Sequence, residues 1–93
     1  MMRFEWNAEK NAWLKRKRQI SFEDVVHFIL AGNVLDIIEH GNPERYPGQR
    51  IFVVEIDGYA YSVPYVESED LFFLKTVVPS RKLTRRYLKD EKP

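Results

Sequence analysis

Arg50-Ile51-Phe52-Val53-Val54-Glu55-Ile56, Asp57-Gly58 and Tyr59-Ala60-Tyr61-Ser62-Val63-Pro64-Tyr65-Val66 decide the fold of this 93-residue chain. Residues 50–56 are rich in β-branched side chains and read as a strand. Asp57-Gly58 is the strongest two-residue hairpin signal open to L-residues, because the tight turn needs positive φ at both central positions. Tyr59 to Val66 returns as the partner strand, with Tyr59, Tyr61, Val63 and Tyr65 on one face. Pro64 has no amide donor, so this strand lies at an edge or carries a bulge there. Working outward, Val34 to Glu39 reads as a strand before a turn-rich loop, 40–49, with two prolines and two glycines. On the other side, Glu67-Ser68-Glu69-Asp70 is a polar turn and Leu71 to Val78 a further strand, stopped by Pro79-Ser80.

The pattern on both flanks is helical. Phe4-Glu5-Trp6 is a short strand or extended lead-in, and Asn7 caps a helix over 8–17 with Glu9 in its first turn. Ser21 opens a second helix with Asp24 as a short-armed capping-box acid. Phe22, Val25, Val26 and Ile29 form its buried stripe, and Gly32 ends it in the left-handed region. His27 falls off that stripe. Ser80 caps a last helix, Arg81 to Lys89, and residues 90–93 fray. The expectation is one α+β domain over 1–93. It has two N-terminal helices, a three- to four-stranded antiparallel sheet with hairpin connections throughout, and a C-terminal helix.

Composition narrows the chemistry. Apolar residues make up 44%, charged 31% and aromatic 14%, a globular rather than a disordered balance. A chain of this size buries roughly 60–65% of its unfolded surface, so a dimer or partner would add stability. The absence of cysteine excludes a disulfide scaffold, a thiolate nucleophile and a Cys-ligated zinc, and His27 and His40 are too few for a His-rich metal site. No apolar run approaches the ~20 residues of a membrane span, and the N-terminus lacks a secretory pattern, so the expected location is the cytoplasm. No glycine-rich phosphate loop or metal motif is present, and no cofactor is expected.

Net charge +1 conceals segregation. Residues 1–20 carry six basic and two acidic side chains, residues 21–74 two basic and ten acidic, and residues 75–93 seven basic and two acidic. Brought together, the basic ends would attract a polyanion; paired with the acidic middle, they would bind nothing. The candidate groups are His40, Tyr46, Arg50, Lys75, Arg81, Lys82, Arg85, Arg86 and Tyr87. Such a set suits metal-free RNA cleavage through the substrate's own 2′-hydroxyl. The protein then need only place the phosphate, stabilise its charge and move two protons. Arginine meets two phosphate oxygens with its planar fork. Each residue also has a plainer reading: an exposed helix face for Arg81 and Arg85, a loop hydrogen bond for His40, core packing for the tyrosines.

Three stretches carry a resemblance. Phe4-Glu5-Trp6-Asn7 with Lys10-Asn11 resembles the FEWDxxKN opening of the BrnT family, toxins of bacterial type II toxin–antitoxin pairs. Ile20-Ser21-Phe22-Glu23-Asp24 is similar to that family's second-helix opening. Val77-Val78-Pro79-Ser80-Arg81-Lys82-Leu83-Thr84-Arg85-Arg86 is similar to its IISARKATRRE ending. The resemblance implies a RelE-like fold and a metal-independent ribonuclease that inhibits translation. It also implies neutralisation by a cognate antitoxin with a ribbon-helix-helix DNA-binding domain, in a homodimer or a toxin–antitoxin heterotetramer. By position, Arg81 matches the arginine of the ARK motif, Arg50 an arginine opening the central strand, and His40 a polar residue ahead of the loop. These three are the expected catalytic residues, with Lys75, Lys82, Arg85, Arg86 and Tyr87 positioning RNA. The alternatives are a non-catalytic interaction module of the same fold and an RNA-binding domain without cleavage.

Overall fold

A computed structural model describes residues 2–89. The chain runs β1 (Arg3–Trp6), α1 (Ala8–Arg18), α2 (Phe22–Leu30), β2 (Val34–Glu39), β3 (Gln49–Ile56), β4 (Tyr59–Ser68), β5 (Leu71–Leu74), β6 (Val78–Pro79) and α3 (Arg81–Tyr87). The α+β class and the three helices follow the expectation. The sheet is larger, with six strands in the order β1-β5-β4-β3-β2 and β6 also paired to β4. One connection departs from the hairpin pattern. β1 lies parallel to β5, Phe4 opposite Phe72 and Trp6 opposite Leu74. Periodicity carries no information about that pairing, because a four-residue strand finds its edge through tertiary packing.

The caps are local chemistry. Asn7 Oδ1 accepts from the Lys10 amide, and Ser21 and Asp24 complete a reciprocal capping box. Gly32, at φ +92°, takes the left-handed conformation that closes α2. Ser80 Oγ accepts from the Leu83 amide to open α3, which ends at Tyr87 rather than Lys89. The expectation for residues 90–93 lies outside the described residues.

Pro64 explains why Leu71–Val78 is two strands and not one. Its carbonyl faces β5 and accepts from the Lys75 amide. Its missing donor therefore faces the same way. Tyr65 pairs with Leu74 and Ser62 with Val78, so four steps on one side face three on the other. The bulge expected of an interior proline falls there.

Cross-strand partners share a face. Phe52, Val54, Ile56, Val63, Tyr65, Leu74 and Val77 join Leu14, Ile20, Phe22, Val25 and Ile29 in one core beneath α1 and α2. Each fully buried large side chain there, such as Leu14 or Phe22, contributes about 1.5–3 kcal/mol. His27 is exposed, as its position off the stripe requires. On the opposite face, where Val53 and Ala60 are buried, α3 packs on β4 through its own buried Thr84, whose hydroxyl oxygen accepts from the Ala60 amide. The last turn of α3 reaches β2, where the Tyr87 hydroxyl donates to Asp36 Oδ2; Asp36 pairs with Val53.

Candidate functional site

The charged and hydrogen-bonding candidates form two groups, at opposite ends of the sheet. The first is a cavity of about 540 Å³ lined by Glu39, Gly48, Gln49, Arg50, Tyr65, Glu67 and Glu69. Strand register builds it. Glu39 pairs with Arg50, and Arg50 with Tyr65, in one row across β2, β3 and β4. Arg50 Nε stands 4.0 Å from Glu39 Oε2. The Tyr65 ring is buried and stacks on Phe52 with centroids 4.0 Å apart. Burial holds the Tyr65 phenol above its ordinary value, while the Arg50 guanidinium beside it works the other way. Three carboxylates against one guanidinium make the cavity acidic.

His40 follows β2 next to this cavity. Its ring lies 4.3 Å from that of Tyr46, and its Nδ1 accepts from the Asn42 amide. That bond assigns the neutral tautomer with its proton on Nε2. Two further bonds tie the loop to the cavity wall: the His40 amide donates to Gln49 O at 3.4 Å and the Gln49 amide to Tyr46 O at 3.2 Å.

The second group is cationic. α1 ends in Lys15, Arg16, Lys17 and Arg18. Arg18 Nη1 donates to the Val77 carbonyl. This brace ties the basic turn of α1 to the link that opens α3, where Arg81 and Lys82 occupy the first turn with no acid to offset them. Arg85 lies one turn further on. Lys15, Arg16, Lys17, Arg81, Lys82 and Arg85 are all exposed. Among the described residues, none of these cations stands within 4.0 Å of a carboxylate, although Lys15 helps hold the Glu23 carboxyl below its ordinary value.

The expected catalytic set is thereby divided. His40 and Arg50 share one end. Arg81 follows Ser80, whose amide donates to the Ala60 carbonyl, and Ala60 pairs with Glu55. Five residue steps lead from Arg50 to Glu55, about 17 Å of β3. α3 also packs on the face opposite Arg50. The structure therefore does not bring Arg50 and Arg81 into one pocket. Lys75 stands apart from Arg50 as well: Arg50 pairs with Tyr65 and Tyr65 with Leu74, so the next residue, Lys75, is directed to the opposite face, its ammonium 5.4 Å from the Phe73 ring centre. Lys82 and Arg85 join the cationic group. Arg86 lies over the Tyr87 ring and close enough to Asp36 to help keep its carboxyl ionised. Tyr87 is engaged by Asp36, which makes it a clasp between α3 and β2.

No protein-family model, curated protein or solved structure matches this chain. No described helix is long and apolar enough to cross a membrane, and no metal-ligating cluster occurs among the described residues.

Several residues of the two groups escape a reading of the sequence alone. Glu39, Tyr65 and Glu67 reach the cavity only through register; the alternation of β4 places Tyr65 on the tyrosine face but not beside an arginine. Lys15 to Arg18 are visible as a basic run, yet the tie from α1 to the segment before α3 is the Arg18–Val77 bond.

Proposed function

We propose that this protein is a BrnT-like toxin of RelE-like fold, a metal-independent ribonuclease held in check by a cognate antitoxin of the ribbon-helix-helix class. The observation that carries the reading is the set of exposed cations at the two basic ends. Arg18, bonded to the Val77 carbonyl, ties the basic turn of α1 to the segment that leads into Arg81, Lys82 and Arg85. Exposed cations spread over two elements are an electrostatic footprint for a polyanion. Further support comes from where the BrnT-like stretches fall. Asn7 and Asn11 cap and brace α1, Ser21-Phe22-Glu23-Asp24 forms the capping box of α2, and Ser80 opens α3.

In this reading α1 and α3 hold the phosphate backbone. His40, with Nε2–H available, is the acid–base candidate. A second reading, RNA binding without cleavage, is favoured by the separation of Arg81 from His40 and Arg50 and by the acidic surroundings of Arg50. One experiment distinguishes them: incubation of the purified protein with single-stranded RNA and a chelator, with binding and integrity of the RNA followed together. Cleavage that survives the chelator and disappears in His40→Ala supports the nuclease. Salt-sensitive binding that leaves the RNA intact supports the second reading, and absence of binding refutes both. Growth arrest on induction, relieved by an adjacent ribbon-helix-helix gene, tests the toxin–antitoxin assignment.

A further inference from the structure

We propose that the Glu39–Arg50 row is a recognition subsite for a guanine base. The proposal rests on the reading of this protein as RNA-acting and adds the base that it selects.

A cavity with three carboxylates repels a phosphate, so the part of an RNA that enters it must present N–H donors. Arg50 stands among those carboxylates, which disfavours a simple cation as the ligand. What remains is a ligand edge with donors and acceptors side by side. Glu39 and Arg50 are direct cross-strand neighbours. Their 4.0 Å contact uses Nε and one carboxylate oxygen. At that distance neither group is hydrogen-bonded to the other, so both carboxylate oxygens and the terminal guanidinium nitrogens can meet a ligand. Across the row the protein thus offers two acceptors and then two donors.

Guanine presents the complement. Its N2–H and N1–H are adjacent donors, and its O6 and N7 adjacent acceptors. A carboxylate takes the first pair, and a guanidinium takes the second in the bidentate manner by which arginine reads guanine. Adenine, cytosine and uracil interleave donors and acceptors differently, and each leaves at least one of the protein's groups unpaired. Single-stranded RNA exposes these base edges for such readout. Tyr65, buried and stacked on Phe52, forms a fixed wall beside Arg50.

The test is a titration of the full chain with guanosine, adenosine, cytidine and uridine monophosphates, followed by NMR shifts of the Glu39, Arg50 and Tyr65 amides. Guanosine monophosphate should bind at least about tenfold tighter than the other three. Glu39→Gln, which replaces one carboxylate oxygen by an N–H donor, should abolish that preference, as should Arg50→Met. Both side chains are largely exposed, at 81% and 56%, so both variants should fold as the parent does. Equal binding of the four nucleotides, no binding, or a preference that survives Glu39→Gln would overturn the proposal. A uridine-only RNA, which contains no guanine, reports separately on the cationic face. Its salt-sensitive binding together with an absent guanine preference removes the subsite alone; its failure to bind removes the RNA reading as well.

Discussion

Asn11 lies in the segment that resembles a toxin motif, yet its contacts make it a brace, and replacing it should cost folding stability. Its side chain is buried between α1 and α2. Oδ1 accepts from the Phe22 amide at 2.7 Å, and Nδ2 donates to Glu23 Oε1 at 2.8 Å. The Phe22 amide is one of the first N–H groups of α2, which have no partner within the helix. In Asn11→Ala that amide is stranded where water does not reach, at about 1–3 kcal/mol. The Glu23 contact adds little, because its exposed carboxylate exchanges the amide for water. A loss of about 2 kcal/mol corresponds to a fall in Tm of about 8–16 °C for a domain of this size. Chemical and thermal unfolding of Asn11→Ala and Glu23→Gln measure both halves. Glu23→Gln should stay within about 0.5 kcal/mol of the parent, as exposed substitutions do. The Asn11 bond is also the leading reason that the Glu23 carboxyl sits below its ordinary value. A lowered folded-state pKa contributes stability above the unfolded value and loses it as pH falls through the folded one. The acid limb of the stability profile should therefore be shallower in Asn11→Ala. An Asn11→Ala protein as stable as the parent would refute the brace.

Thr84→Val should be nearly as costly, about 1–3 kcal/mol by denaturant unfolding, because buried Thr84 Oγ1 accepts from the Ala60 amide at 2.8 Å while donating to Ser80 O; Thr84→Ser should recover most of it. The clasp between α3 and β2 should be visible in phenol titration. Tyr87 is held above its ordinary value chiefly by its bond to Asp36, and Asp36 below its own chiefly by Tyr87. Asp36→Asn should accordingly bring one tyrosine to a lower titration midpoint in ultraviolet absorbance. The clasp's contribution should fade as pH falls through the folded Asp36 pKa, and again as pH rises through that of Tyr87. For RNA, Arg81→Ala and Lys82→Ala should each reduce the salt slope of single-strand binding by about 0.7 if each meets one phosphate. Arg50→Met should leave that slope unchanged, and a slope that drops with Arg50 instead would place the backbone in the acidic cavity.

Local chemistry made much of this molecule legible from its residues. The Asp57-Gly58 turn fixes a hairpin because few residues accept its dihedrals. Ser21 with Asp24 fixes a helix start because the cap is satisfied within four residues. Pro64 announces a bulge because a missing donor must be placed somewhere. The basic ends are equally plain as composition. The tie between them is not, since it depends on a bond between Arg18 and a carbonyl 59 residues away. Nor do the residues in order reveal that β1 runs parallel to β5, that α3 backs the sheet on the face away from Arg50, or that Glu39, Arg50 and Tyr65 stand in one row. Those arrangements come from register and packing, which couple positions far apart in the chain. Side-chain type and spacing determined which groups were available for chemistry, and only the tertiary structure decided which of them share a site.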